Sequence, residues 1–196
     1  MTLLVTQALQ GSDHRSAVAF ATVGLRVAGT SISPALSTEL RLQRAKAYAA
    51  LGEATDARRD IRRAERAHDR IRVDEEPPET SYVQPGLLET QIGAALLSLR
   101  DLTVAMTFAE AAASTTTHPR GNVNRLVTVT MISMARGDLD RAAIAASTML
   151  DTARGMESGR LSQRFRTIRA LMARHRSSNA LREVSERLDL ELAIPS

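Results

Sequence analysis

Residues 39–72 read ELRLQRAKAYAALGEATDARRDIRRAERAHDRIR, and this stretch predicts two helices folded back on each other. Ala45 and Tyr48 supply a small and an aromatic position on the first helix, Leu51-Gly52 ends it, and Ala57, Ile61 and Ala64 set a narrow apolar face on the second. Spacings of three and four bring such residues onto one side of a helix. Glycine admits the left-handed backbone that closes a tight turn.

Working outward, the same hairpin recurs in weaker form. Residues 2–10 form a short apolar helix, Gly11-Ser12-Asp13 a turn with a capping residue, and 17–27 a second helix. The cluster GTSISP at 29–34 is a turn that places Pro34 at a helix start, where its missing N–H costs nothing. An acidic, proline-rich connection, VDEEPPETSYVQP at 73–85, separates the first two hairpins from the rest. Helices over 86–99 and 102–113 carry Gly93 at the small position and Ala105, Ala109 and Ala112 at the packing positions, with Arg100 replacing the turn glycine. Thr115-Thr116-Thr117-His118-Pro119 breaks the helix. A fourth hairpin over 121–154 turns at Arg136-Gly137-Asp138, with Ala142 and Ala146 at the packing positions. A helix over 158–174 aligns Leu161, Phe165, Ile168 and Leu171/Met172, and a closing helix over 178–192 aligns Leu181, Val184, Leu188 and Leu192 against polar Arg182, Glu183, Glu186 and Arg187. Breaks are expected near Gly11, Ser31, Gly52, 74–84, Arg100, Thr117, Gly137, Gly155 and Ser177.

The residues of 39–72 resemble the tetratricopeptide repeat, a pattern of about 34 residues with small, aromatic, Leu-Gly and Ala positions at these places. The resemblance implies an all-α fold: a right-handed α-solenoid of about five antiparallel helical hairpins with a C-terminal capping helix, forming a single domain over 1–196.

Composition narrows the function. Aromatics are 3% with no Trp, so Ala, Leu, Val and Ile must fill the interior, which favours close helix packing. Zero Cys excludes disulfides, thiolate metal sites and cysteine nucleophiles, and points to the cytoplasm. The N-terminal stretch lacks a basic export signal, and the apolar run at 17–23 is far short of a membrane span. A net charge of +4 raises nucleic acid as a partner, but the basic residues, of which Lys46 is the only lysine, are interleaved with Asp and Glu. Arg58, Arg62, Arg66 and Arg70 sit four apart as a stripe away from Ala57, Ile61 and Ala64. It reads either as an anion-binding ridge or, preferred here, as a solvated outer face offset by Asp56, Asp60, Glu65 and Asp69.

No cofactor, metal or enzyme signature is present. His14, His68, His118 and His175 lack ligand spacing, and no phosphate loop, dinucleotide fingerprint, nucleophile elbow or HExxH occurs. Glu75-Glu76 reads as solvated linker rather than a catalytic carboxylate pair. No hairpin matches a DNA-reading helix-turn-helix, so sequence-specific binding to nucleic acid is not expected.

Beyond the generic repeat, most of the chain resembles the C-terminal sensory half of bacterial regulators that begin with a phage-repressor-type (XRE-type) helix-turn-helix domain. The carrying residues are Ala47-Tyr48-Ala49-Ala50-Leu51-Gly52, Ala57-Arg58, Asp74-Glu75-Glu76-Pro77-Pro78 with Tyr82, Arg136-Gly137-Asp138 with Ala142-Ala143, and the helix from Arg164 to Arg174. Glu79 stands where that family usually has an aromatic, and the DNA-binding half is not among these residues. The resemblance implies a non-enzymatic regulatory module that senses a ligand or partner in transcription control. Taking Ala45, Gly93 and Thr130 as equivalent, the concave groove is expected along Glu39, Leu42, Lys46, Tyr48 and Ala49, then Leu87, Thr90, Ala94 and Leu97, then Asn124, Val127, Met131 and Met134. Met131 and Met134 are expected at its floor, as adaptable apolar contacts for a protein or peptide partner or a hydrophobic small molecule. Leu42, Gln91 and Thr128 stand where a chaperone-tail clamp needs basic residues or Asn. The alternative is a protein–protein interaction scaffold or homodimerisation module without a small ligand.

Overall fold

One turn recurs along the chain. In a computed structural model describing residues 1–80, 85–115, 118–156, 159–175 and 177–193, four pairs of helices are each joined through a single left-handed residue. The pairs are α1 (Thr2–Gln10) with α2 (His14–Ala28), α3 (Pro34–Ala50) with α4 (Ala54–His68), α5 (Leu87–Ser98) with α6 (Leu102–Ala113), and α7 (Pro119–Arg136) with α8 (Leu139–Ala153). The left-handed residues are Ser12, Gly52, Arg100 and Gly137, with φ of 58°, 80°, 62° and 78°. An acidic residue follows each, and its amide donates to a carbonyl five residues back: Asp13 to Ala8, Glu53 to Tyr48, Asp101 to Leu96 and Asp138 to Ser133, all at 2.9–3.0 Å. This satisfies carbonyls that the end of a helix would otherwise leave open. Asp13 and Asp138 then cap the next helix by accepting from Ser16 N and Arg141 N.

The turn sets the register of packing. Five, nine and twelve residues beyond it stand Ala17, Ala21 and Gly24, then Ala57, Ile61 and Ala64, then Ala105, Ala109 and Ala112, then Ala142, Ala146 and Met149, and all of these are buried. Small side chains there let α2, α4 and α8 approach α1, α3 and α7 closely. Seven residues before the turn, Val5, Ala45, Gly93 and Thr130 are buried as well. Arg100 takes the left-handed turn despite its Cβ, at a cost of roughly 1–2 kcal/mol relative to ordinary backbone.

Two further helices, α9 (Gly159–Met172) and α10 (Asn179–Ala193), complete the chain, and among the described residues there are ten α-helices and no strand. The all-helical expectation therefore holds, and breaks occur at Gly11, at Gly29–Ser31, at Gly52, Arg100, Gly137 and Gly155, and before Ser178. The expected break at Thr116-Thr117, the start of the ninth helix at Ser158 and the linker residue Tyr82 lie outside the described residues. No helix among the described residues is long and apolar enough to cross a membrane.

The chain divides into two compact units, Met1–Phe108 and Ala109–Ser196. In the first, α3 is the hub and packs against α1, α2, α4 and α5. Its Leu40, Leu42, Ala45, Ala47 and Ala49 are all buried, as a helix covered on most sides requires. In the second, α7 packs on α8 and α9, and α10 on α8 and α9. Val123, Met134, Met149, Phe165, Ile168, Met172, Leu181 and Leu188 share its core. Ion pairs Arg169–Asp189 at 2.8 Å and Arg187–Asp151 at 2.6 Å tie α10 to α9 and α8 at the surface.

Candidate functional site

The chemistry that stands out lies around α3. Asp60 of α4, expected on a solvated outer face, is instead 1% exposed and faces α3. Arg44 of α3 grips it with two bonds, Nε to Oδ2 at 2.6 Å and Nη2 to Oδ1 at 2.9 Å, the planar fork that guanidinium and carboxylate favour. Arg44 also donates to Thr22 of α2 at 2.9 Å, and its guanidinium carbon lies 5.8 Å from the centre of the Tyr48 ring. Burial works against the Arg44 cation, but the hydrogen bonds and charge of Asp60, helped by Tyr48 and Asp56, outweigh it and raise its pKa above the ordinary arginine value. Three helices are thus pinned through one buried pair.

The acidic connection is also more than solvated linker. Glu76 accepts from the backbone amide of Ala35 at 3.0 Å, at the start of α3 where Ser33 already caps Leu36 N. Its second oxygen accepts from the Thr80 hydroxyl at 3.3 Å. A carboxylate at a helix N-terminus meets open amides and the positive end of the helix dipole. This holds residues 77–80 over the beginning of α3.

Beneath that segment is a cavity of 780 Å³ within the first unit. Its apolar walls are Met1 before α1, Gly24, Val27 and Ala28 of α2, Ile32, and Leu36 and Leu40 of α3, and Pro77, Glu79 and Thr80 border it from the connection. Gly24 matters to its shape: a Cβ there would come within 2.7 Å of Met1 Cγ and 3.3 Å of Leu40 Cδ1. The volume is in the range of small-molecule sites, which are mainly apolar with a few polar groups at the edge.

The groove residues expected from the sequence are distributed differently. Leu42 and Ala49 in the first unit and Val127 and Met134 in the second lie in the packed interior, Met134 at 7% exposure, so the expected floor is core on that side. Glu39, Lys46, Tyr48, Leu87, Thr90, Ala94 and Leu97 are half-buried in the first unit, as are Asn124 and Met131 in the second. Met131 itself packs against the core of the second unit. On α3, Gln43 is buried and its amide nitrogen donates to Thr6 of α1 at 3.1 Å and to Glu39 at 2.9 Å, a polar link between α1 and α3.

The arginine stripe is broken up too. Arg58 pairs with Asp101 at 2.9 Å and Arg59 with Asp56, whereas Arg66 and Arg70 join Arg63 and, from α3, Arg41 around a separate cleft. Among the described residues no three His, Asp or Glu side chains group as a metal ion would need. His118 caps α7, its Nδ1 accepting from Arg120 N at 3.3 Å.

Sequence reading missed Asp60, Glu76 and the cavity. For Asp60 a signal existed: residues 57, 60, 61, 64 and 67 share a helix face by spacing, and all are buried. Nothing local marks Glu76 as the partner of an amide 41 residues away. Comparison of the chain with protein-family models, with curated proteins and with solved structures gives no match.

Proposed function

We propose that this protein is a non-enzymatic binding module, a tetratricopeptide-like right-handed array of about five hairpins capped by α10, of the kind that serves as the sensing half of a bacterial transcription regulator. The repeated turn and its fixed packing offsets support the repeat reading. The observation that carries the binding reading is the 780 Å³ cavity with Met1, Val27, Leu36 and Leu40 in its lining. It favours a hydrophobic small molecule or the apolar side chains of a peptide, and it replaces the Met131/Met134 groove as the place of recognition.

An environment-sensitive apolar dye tests this. The full chain should bind it saturably, and Val27→Glu at the cavity mouth, where Val27 is 76% exposed, should weaken binding without moving the melting temperature. Ile144→Glu, comparably exposed at 69% but in the second unit, is the control. Absence of saturable binding, or equal loss in both variants, would sink the reading.

The scaffold or homodimer alternative has its own support. Leu3, Leu4 and Phe20 are exposed on the first hairpin in addition to Val27. Sedimentation equilibrium separates the two: a dimer that Leu3→Glu disrupts would put the interaction reading ahead.

A further inference from the structure

We propose that the cleft between α3 and α4 binds a compact phosphorylated small molecule carrying at least two negative charges. The cleft measures 390 Å³ and is lined by Arg41, Arg63, Arg66 and Arg70 against a single carboxylate, Asp69, so its lining carries a net formal charge of +3. It shares no lining residue with the apolar cavity, and the two readings stand or fall separately.

Most of the charge of this cleft is unmatched, whereas three neighbouring arginines of α3 and α4 are paired. Arg44 is held by Asp60, Arg58 by Asp101 and Arg59 by Asp56. Among the described residues, Arg63, Arg66 and Arg70 have no carboxylate oxygen within 4.0 Å. They come from one edge of α4 and the turn after it, at spacings of three and four.

Arg41 faces them from α3 and is positioned from below. Its Nε donates to Ser37 Oγ at 3.2 Å, and its Nη1 lies 4.0 Å from the buried Asp60, whose two oxygens are already engaged by Arg44. Burial, followed after the opposing pull of Asp60 by the charges of Arg44, Arg63 and Arg66, lowers the Arg41 pKa below the ordinary arginine value. Like charges crowd the group, and an anion in the cleft would relieve them.

Phosphoryl oxygens suit the arrangement, because a guanidinium offers parallel N–H donors in a plane and several together can share one tetrahedral anion. A nucleic-acid backbone fits less well. It needs cations spread along a track, whereas here four arginines converge on one concavity, and Arg58, at the other end of the stripe, is paired with Asp101.

Isothermal titration of the full chain with sodium pyrophosphate, against sodium chloride at matched ionic strength, tests the site. Saturable binding is expected, with Arg63→Gln and Arg66→Gln each raising Kd about tenfold or more. Arg62→Gln, exposed on the same helix outside the lining, should change it less than about twofold. All three positions are exposed, so unchanged melting curves will show that the variants remain folded. No pyrophosphate binding beyond the chloride control would overturn the proposal, as would equal losses in Arg62→Gln and Arg66→Gln. So would tighter binding of a single-stranded oligonucleotide with a salt dependence reporting more than about three phosphates.

Discussion

Asp60→Asn is the sharpest perturbation of this protein's architecture. The substitution is nearly isosteric, but it removes the charge and turns one of the two acceptor oxygens facing Arg44 into a donor. Hydrogen bonds to charged groups contribute about 1.5–3 kcal/mol each, and breaking one side of a buried pair costs about 3–5 kcal/mol. Arg44 keeps 12% side-chain exposure and its bond to Thr22, so the loss belongs at the low end of that range, about 3 kcal/mol. For a chain of 196 residues unfolding cooperatively, that lowers the melting temperature by about 6–12 °C. Urea denaturation followed by circular dichroism reads the free energy directly. The reference is Asp189→Asn, which removes a bidentate pair of similar geometry at the surface, with bonds of 2.8 and 2.9 Å, and should cost under about 1 kcal/mol. If Asp60→Asn destabilises no more than Asp189→Asn, the pinning of α2, α3 and α4 through Arg44 is wrong. The double variant Asp60→Leu/Arg44→Met should recover most of the loss, since an apolar pair of similar volume leaves no buried charge unmatched.

Other expectations follow from the turns, the packing and the surface pairs. Arg100→Gly should stabilise by about 0.5–1 kcal/mol, the relief of left-handed backbone less the added unfolded-state entropy, while Gly137→Ala should destabilise; both are read by chemical denaturation. Ala57→Leu and Ala105→Leu should each cost about 1–3 kcal/mol by overpacking fully buried positions, and melting curves like the parent's would show that the register is misread. The Asp189 carboxyl is held below its ordinary range by its hydrogen bonds from Arg169. Its contribution is therefore present above the ordinary carboxylate pKa and fades as pH falls through the lowered folded value. An acid titration of stability should accordingly be shallower in Asp189→Asn than in the parent. Glu76→Ala should cost about 1 kcal/mol through loss of the cap on Ala35 N, and limited proteolysis should cut faster at 77–80.

What the amino-acid sequence determined by itself is what short-range physics controls. Apolar residues three and four apart select helices and their inner faces, so Ala57, Ile61 and Ala64 and Ala105, Ala109 and Ala112 are assigned to packing by their spacing alone, and all are buried. Turn residues act within five positions of themselves, which is why Gly52, Arg100 and Gly137 could be read as equivalent. The tertiary structure decided whatever depends on which neighbour covers a face. A charged residue at the spacing of a buried face reads as exposed until Arg44 is seen to arrive from another helix, and this is the case of Asp60. Met134 reads as groove until α8, α9 and α10 bring the residues that bury it into one core with it. Four arginines read as a stripe until Asp101 takes one and Arg41 joins others in a cleft. Periodicity reports the side of a helix on which a residue lies, but the partner that meets it there is selected by contacts between residues far apart in the chain, and no local pattern encodes those.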